Sequence, residues 1–253
     1  MPPRYPFLDA PLPLAFAHRG ADTVVENSMA AFESVRRLGY RYVETDVRAT
    51  ADGVLLAFHD ATLDRVTDRT GRISRLPYAE VARARIGGTE PIPPLADVLG
   101  ELPELRLNLD VKEAAAVRPL VELLRRTRAV DRVCVGSFSD ARVTAMRSAF
   151  GPALCTSMGR REILRLRAAS YLPRSRRPAA AGCVQVPPRV GPVPVADRRL
   201  VATAHGLGLQ VHVWTVNDAA EMNRLLDLGV DGIMTDQAEL LRDVLRTRGR
   251  WHA

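Results

Sequence analysis

The sequence predicts a closed (β/α)8 barrel, and three observations carry that expectation. Short apolar runs alternate with longer amphipathic runs along the chain, giving eight strand candidates separated by helix candidates. The length of 253 residues is close to the ~250 typical of a single barrel. Several strand candidates are rich in Val, Ile and Leu without strict alternation, as expected of parallel strands covered on both faces. An open doubly wound sheet is the second reading. No Gly-x-Gly-x-x-Gly follows a strand candidate, which counts against a dinucleotide-binding version of it.

The elements follow in order. Residues 14–18 form the first strand candidate. A helix over 28–38 brings Met29, Phe32, Val35 and Leu38 near one face, starts on the Ser28 hydroxyl and stops before Gly39. The second strand covers 41–47. Between it and the third, 105–112, lies a long segment, 48–104. It holds a short strand at 54–58, a turn at Asp68-Arg69-Thr70-Gly71 and the run Pro91-Ile92-Pro93-Pro94. A segment of this length inside a compact domain is usually functional, and it is read as an insertion over the C-terminal mouth of the barrel. Strands at 132–136, 153–157, 182–186, 209–215 and 231–235 then alternate with helices at 114–126, 140–150, 160–169, 196–206, 219–228 and 238–246. Residues 171–194 are rich in Pro and Arg and are read as loop, strand and loop. The chain, 1–253, is thus expected to be one barrel domain carrying the insertion.

Composition narrows the classes. The chain is 47% hydrophobic and 26% charged, ordinary for a soluble globular protein. No apolar run approaches the ~18 residues of a membrane helix. Residues 1–13 are proline-rich without the apolar core of a signal peptide, so a cytoplasmic protein is expected. Cys134, Cys155 and Cys183 sit in or beside strand-like runs, have no metal-ligand spacing, and are expected to be buried free thiols. The formal net charge is +7, yet all but one of the 36 basic residues are arginine. With abundant Ala, this reads as a coding bias and an arginine-coated surface rather than a polyanion site. A nucleic-acid binder would need more than charge, and no recognised nucleic-acid motif is present. Lys112 is the lone lysine, a compact ammonium that an arginine fork cannot replace.

Chemistry-bearing residues gather at strand ends. His18-Arg19-Gly20 ends the first strand. Glu44 and Asp46 lie at i and i+2 on the second, so their carboxylates project to the same side. Asn108, Asp110 and Lys112 repeat the spacing on the third. Glu44, Asp46 and Asp110 at neighbouring strand ends would repel unless a cation holds them. Oxygen-only donors select Mg²⁺ or Ca²⁺, with Glu26 a further candidate ligand. The competing reading pairs each carboxylate with an arginine. Of the five histidines, His205 and His252 read as solvated and His212 as core. His18 and His59 end strands beside charged neighbours and suit a general base and acid, with Arg19 and Lys112 supplying positive charge for an anionic substrate. Together these groups suit hydrolysis of a phosphate ester.

The ordered series His18-Arg19-Gly20, Glu26-Asn27-Ser28, Glu44-Thr45-Asp46, Asp52-Gly53-Val54-Leu55 leading to His59-Asp60, Leu63-Asp64-Arg65, Asn108-Leu109-Asp110-Val111-Lys112, Ser137-Phe138, Trp214-Thr215-Val216-Asn217 and Gly229 to Asp236 resembles the glycerophosphodiester phosphodiesterase family over nearly the whole chain. The resemblance implies a (β/α)8 barrel with an insertion after the second strand. It implies hydrolysis of small glycerophosphodiesters to sn-glycerol 3-phosphate and an alcohol. It further implies metal ligands at Glu44, Asp46 and Asp110, with Glu26 joining the metal or its waters, and a divalent cation, Mg²⁺ or Ca²⁺. His18 is the implied base and His59 the implied acid. Arg19 and Lys112 would bind phosphate, and Trp214 would line the pocket. Asp110 departs from the glutamate common in the family, and Ser28 from a common threonine. Two alternatives share the groups: a lysophospholipase D, with the arginine-rich stretch 160–177 in peripheral contact with an anionic membrane surface, and a phosphate-binding barrel without catalysis.

Overall fold

The computed structural model describes residues 4–171 and 180–252. Its strands are β1 (Leu14–His18), β2 (Tyr42–Ala49), β3 (Leu55–Ala57), β4 (Arg85–Ile86), β5 (Glu90–Pro91), β6 (Arg106–Val111), β7 (Val133–Gly136), β8 (Cys155–Thr156), β9 (Cys183–Val186), β10 (Arg189–Val190), β11 (Val193–Pro194), β12 (Gln210–Val213) and β13 (Gly232–Thr235). Its helices are α1 (Met29–Arg37), α2 (Tyr78–Val81), α3 (Leu95–Glu101), α4 (Val117–Thr127), α5 (Asp140–Phe150), α6 (Arg160–Ala169), α7 (Arg198–Gly206), α8 (Ala219–Leu228) and α9 (Ala238–Thr247).

Eight strands pair in parallel in the order β8-β7-β6-β2-β1-β13-β12-β9. The ring is completed at β8 and β9. There Ser157 pairs in parallel with Cys183, Met158 N–H donates to the Cys183 carbonyl (2.9 Å), and Gly182 N–H donates to the Thr156 carbonyl (2.9 Å). The fold is the expected (β/α)8 barrel, and all eight strand candidates fall on its strands.

Strand alternation sorts the side chains. Val43 and Val47 of β2 and Leu107, Leu109 and Val111 of β6 join the apolar layer against α3, α4 and α5. The intervening Glu44, Asp46, Asn108 and Asp110 therefore face the barrel axis. On the other half, Val184, Val211, Val213 and Ile233 pack against α7, α8 and α9. Helix starts are capped where the sequence offers a short polar residue: Ser28 Oγ accepts from Ala31 N–H (3.1 Å), and the side chains of Asp197 and Asp218 accept from the N–H groups of Leu200 and Glu221.

The N-terminal end of the barrel is plugged by a segment in which the sequence predicts no element. Tyr5, Phe7 and Leu8 pack with Phe16, Tyr42 and Met234 and with the three cysteines inside the ring. The Phe7 carbonyl accepts from Tyr42 Oη (2.8 Å) and from the Arg106 guanidinium (3.1 Å), which also donates to the Asp9 carbonyl (2.8 Å). The three cysteines are free and buried, as expected.

The segment 48–104 is only partly an insertion. Its first residues extend β2 to Ala49, where β3 pairs antiparallel to it. Its last helix, α3, buries Leu95, Val98 and Leu99 in the same layer as α4, so it belongs to the ring of outer helices. The excursion proper lies between β3 and α3 and has its own core of Leu56, Phe58, Leu63, Ile73, Val81, Ala84, Ile86 and Ile92. The loop expected after the strand at 182–186 contains the β10–β11 hairpin. Part of the arginine-rich stretch, 172–177, lies outside the described residues. Among the described residues, no helix is long and apolar enough to cross a membrane.

Candidate active site

The chain reverses sharply after β1. Arg19, Gly20, Ala21 and Asn27 all take positive φ (53°, 82°, 53° and 60°). Three of them are not glycine, so backbone strain is concentrated where the loop meets the barrel mouth. Gly20 has no alternative: a Cβ there would lie 2.7 Å from the Ala31 side chain. The loop is held by Arg19 N–H on the Glu44 carbonyl and by Asn27 N–H on the Arg19 carbonyl, both 2.8 Å. Asn27 is buried. Its amide donates to Asp46 Oδ2 (3.2 Å) and its oxygen accepts from Thr45 Oγ1 (2.7 Å).

The carboxylates come together as the spacing required. β2 and β6 are in register with Glu44 opposite Asn108 and Asp46 opposite Asp110. Lys112 Nζ lies between two of them, 2.7 Å from Asp46 Oδ1 and 2.6 Å from Asp110 Oδ2. Asp46 is 1% exposed, and its other oxygen lies 3.1 Å from Arg19 Nε. Burial opposes its charge, but Lys112 and Arg19 prevail and hold the carboxyl below the usual range. Glu44 and Asp110 are less well compensated. Burial pushes both up, and the Asp46 charge adds to it. Glu44 Oε2 and Asp110 Oδ1 are buried without a hydrogen-bond partner. The Lys112 ammonium is raised because Asp46 and Asp110 outweigh its burial.

Those two orphaned oxygens are the test of whether the site suits a hard cation. Among the described residues, no set of three or more His, Cys, Asp or Glu groups is placed to hold a metal ion. Mg²⁺ does not need such a set: it keeps several waters and binds through one or two carboxylates plus substrate phosphate oxygens. Glu44 and Asp110 meet that lesser demand, and Asp46 meets it only if Lys112 releases Oδ1. Glu26, expected beside the metal or its waters, has its Oε1 3.2 Å from Arg19 and 2.6 Å from Arg65.

Each candidate acid–base histidine is fixed by a carboxylate on the same ring nitrogen. His18 Nδ1 is 2.5 Å from Asp236 Oδ1, and its Nε2 is 3.7 Å from Glu44 Oε2. Asp236 is oriented in turn by Asn217, whose amide donates to its Oδ2 (2.7 Å). Burial works to lower the His18 pKa, but Asp236 and Glu44 overcome it, so the imidazolium is favoured. Asp236 is correspondingly lowered against its burial by His18 and Asn217. His59 Nδ1 is 2.6 Å from Asp60 Oδ1, and its carbonyl accepts from Arg48 Nε (2.8 Å).

Trp214 stands apart from the polar cluster. It packs edge-on to Phe138 at 5.8 Å between centroids, and Phe138 is 55% exposed, so the two make an apolar wall at the mouth. His205 is not simply solvated, since its Nε2 is 2.7 Å from Asp231 Oδ2, and His212 is core, with Nε2 3.0 Å from Gln210 Oε1. The sequence reading did not assign Asp236, Asp60, Asn27, Asn217 or Arg65 to the site. Asp60 adjoins His59 and Asp236 follows the last strand, so strand-end position marked them. Asn27, Arg65 and Asn217 stand in the family-like motif series, but their contacts in the site depend on the fold.

The model of the Glycerophosphoryl diester phosphodiesterase family matches residues 18–240 of this chain. A probable glycerophosphodiester phosphodiesterase 2 of Mycobacterium tuberculosis is 42% identical over 246 residues, covering 94% of this chain and 92% of that protein. A crystal structure of a Silicibacter pomeroyi protein assigned as a glycerophosphoryl diester phosphodiesterase superposes with a TM-score of 0.80 at 23% identity, over 97% of this chain and 98% of the other. An Oleispira antarctica phosphodiesterase, whose structure holds the product sn-glycerol-3-phosphate, superposes with a TM-score of 0.77 at 23% identity, over 93% and 97%.

Proposed function

The chain belongs to the glycerophosphoryl diester phosphodiesterase family, and on that footing we propose that it hydrolyses glycerophosphodiesters to sn-glycerol 3-phosphate and an alcohol. The observation that carries this reading is the pair of imidazoles, His18 and His59, each locked by a carboxylate on Nδ1 at a mouth that also holds Arg19 and Lys112. A carboxylate on Nδ1 leaves Nε2 as the working nitrogen, free to take or give a proton.

In this reading Arg19 and Lys112 draw the phosphodiester anion into the mouth. His18 Nε2 removes the proton from the nucleophile, either water or the substrate's own glycerol hydroxyl. His59 Nε2 delivers a proton to the leaving alcohol oxygen. Asp236 and Asp60 keep the two rings in the required tautomer and orientation. Trp214 and Phe138 face the alcohol. Glu44 and Asp110 are assigned as ligands of a divalent cation, Mg²⁺ or Ca²⁺, with Asp46 joining once Lys112 turns to phosphate. When bound, that ion supplies positive charge to the phosphodiester oxygens.

The test is release of sn-glycerol 3-phosphate from glycerophosphocholine, with and without EDTA, followed by Mg²⁺ or Ca²⁺ add-back. Lysophosphatidylcholine is run beside it. Metal-restored turnover of the deacylated diester is expected. Activity confined to the acylated substrate would instead make the protein a lysophospholipase D, and undiminished activity after EDTA would remove the cation.

A further inference from the structure

We infer that Arg65 is the positioning residue for the histidine of the insertion: its guanidinium ties the Asp60 carboxylate that holds His59 to the Glu26 carboxylate that touches Arg19, and so sets His59 against the barrel mouth. The inference rests on the phosphodiesterase reading and on His59 as the acid.

The geometry is a double fork. Arg65 Nε lies 2.6 Å from Asp60 Oδ2, and one terminal nitrogen lies 3.2 Å from Asp60 Oδ1. That same nitrogen is 2.6 Å from Glu26 Oε1, and the other is 3.2 Å from Glu26 Oε2. One planar group therefore meets four carboxylate oxygens on two chain segments. Glu26 comes from the loop after β1, and Asp60 from the excursion between β3 and α3. Only a guanidinium spans such a pair, since an ammonium is a point charge without a fork.

The consequence for His59 follows from what else holds it. Its backbone carbonyl is fixed to the barrel by Arg48. Among the described residues its ring is hydrogen-bonded only to Asp60, three residues beyond the end of β3. Without Arg65, Asp60 keeps its bond to the ring but loses the anchor that aims the pair. Both partners are stabilised in the charged form by the clasp. Asp60 is held down to about 2, against its partial burial, by Arg65 and His59; Arg65 is raised by Glu26 and Asp60. Glu26 is at the same time kept from collapsing wholly onto Arg19, which shares its Oε1.

A double-mutant cycle on the full chain tests the assignment. Arg65→Gln should lower kcat on glycerophosphocholine by about 10–100-fold, part of the ~10²–10⁴ that a positioned acid supplies. In a His59→Ala background the same substitution should cost less than about twofold, because the group it aims is gone. A second substrate separates positioning from general loosening. With p-nitrophenol as the alcohol, the leaving group needs no proton, so Arg65→Gln should lose far less on that ester than on the choline ester. Arg65→Lys, which keeps charge but not the fork, should behave like Arg65→Gln, and added guanidinium should restore part of the Arg65→Gln activity. Equal losses on both esters, or a full loss in the His59→Ala background, would overturn the role through His59. Wild-type protein inactive on both esters would instead strike the phosphodiesterase reading itself.

Discussion

Lys112 shows how much a single residue can settle and where it stops. Its survival in a chain whose other basic residues are arginine marked it as special, and it sits between Asp46 and Asp110 at 2.7 and 2.6 Å. The sequence could not show that it would be occupied by those carboxylates, because that depends on strand register. The in-phase pairs Glu44/Asp46 and Asn108/Asp110 were legible because strand alternation needs no tertiary information. The pairing of His18 was not: whereas Asp60 adjoins His59, Asp236 is 218 positions away from His18. That pair yields a prediction with a definite sign. Asp236 favours the imidazolium, so Asp236→Asn lowers the His18 pKa toward the ordinary value near 6.5. The acid limb of the kcat/KM profile then moves to lower pH, while maximal kcat falls as the ring loses its orientation. An acid limb that stays in place, or moves up, contradicts His18 as the base. Either His18→Ala or His59→Ala should reduce kcat by about 10²–10⁴, measured by product release.

At the scale of elements, the insertion is where reading and structure part most. Its existence follows from the length of the gap between strands, but its limits do not, because α3 has the same amphipathic pattern whether it covers the barrel or the excursion. Packing decides: Leu95 and Val98 join the barrel layer, whereas Phe58 and Ile86 close a separate core. Phe58 is 1% exposed and follows β3 directly before His59. Phe58→Ala should destabilise by about 3–5 kcal/mol and loosen amide protection across residues 55–92 more than in the barrel. Uniform loss of protection would mean that the excursion is no separate unit. The Asp60 clasp gives the same element an acid dependence. Its folded pKa is depressed to about 2, so its stabilisation is present above the ordinary carboxylate value near 3.9 and is lost as pH falls through about 2. The stability gap between wild type and Asp60→Asn, read from urea midpoints, should be full near pH ~5 and shrink below pH ~4.

For the whole molecule, the barrel was legible because eight apolar runs and a length near 250 residues leave few other closed arrangements. The plug was not, since Arg4 to Ala10 carries no periodicity and Pro6 reads as a breaker. It forms because the barrel floor, lined by Phe16, Tyr42 and Met234, would otherwise leave apolar surface open. Phe7 is fully buried there, and Phe7→Ala should cost about 3–5 kcal/mol and lower Tm on the order of 10 °C, with the active-site groups at the opposite end untouched. The central claim concerns the other end of the barrel. Its most direct test is release of sn-glycerol 3-phosphate from glycerophosphocholine by wild type, His18→Ala and His59→Ala, compared at equal folded concentration. The expected result is turnover by wild type and its near-abolition in both variants. Turnover surviving in both, or a folded wild type that releases nothing, would contradict the assignment of this mouth as a phosphodiesterase site.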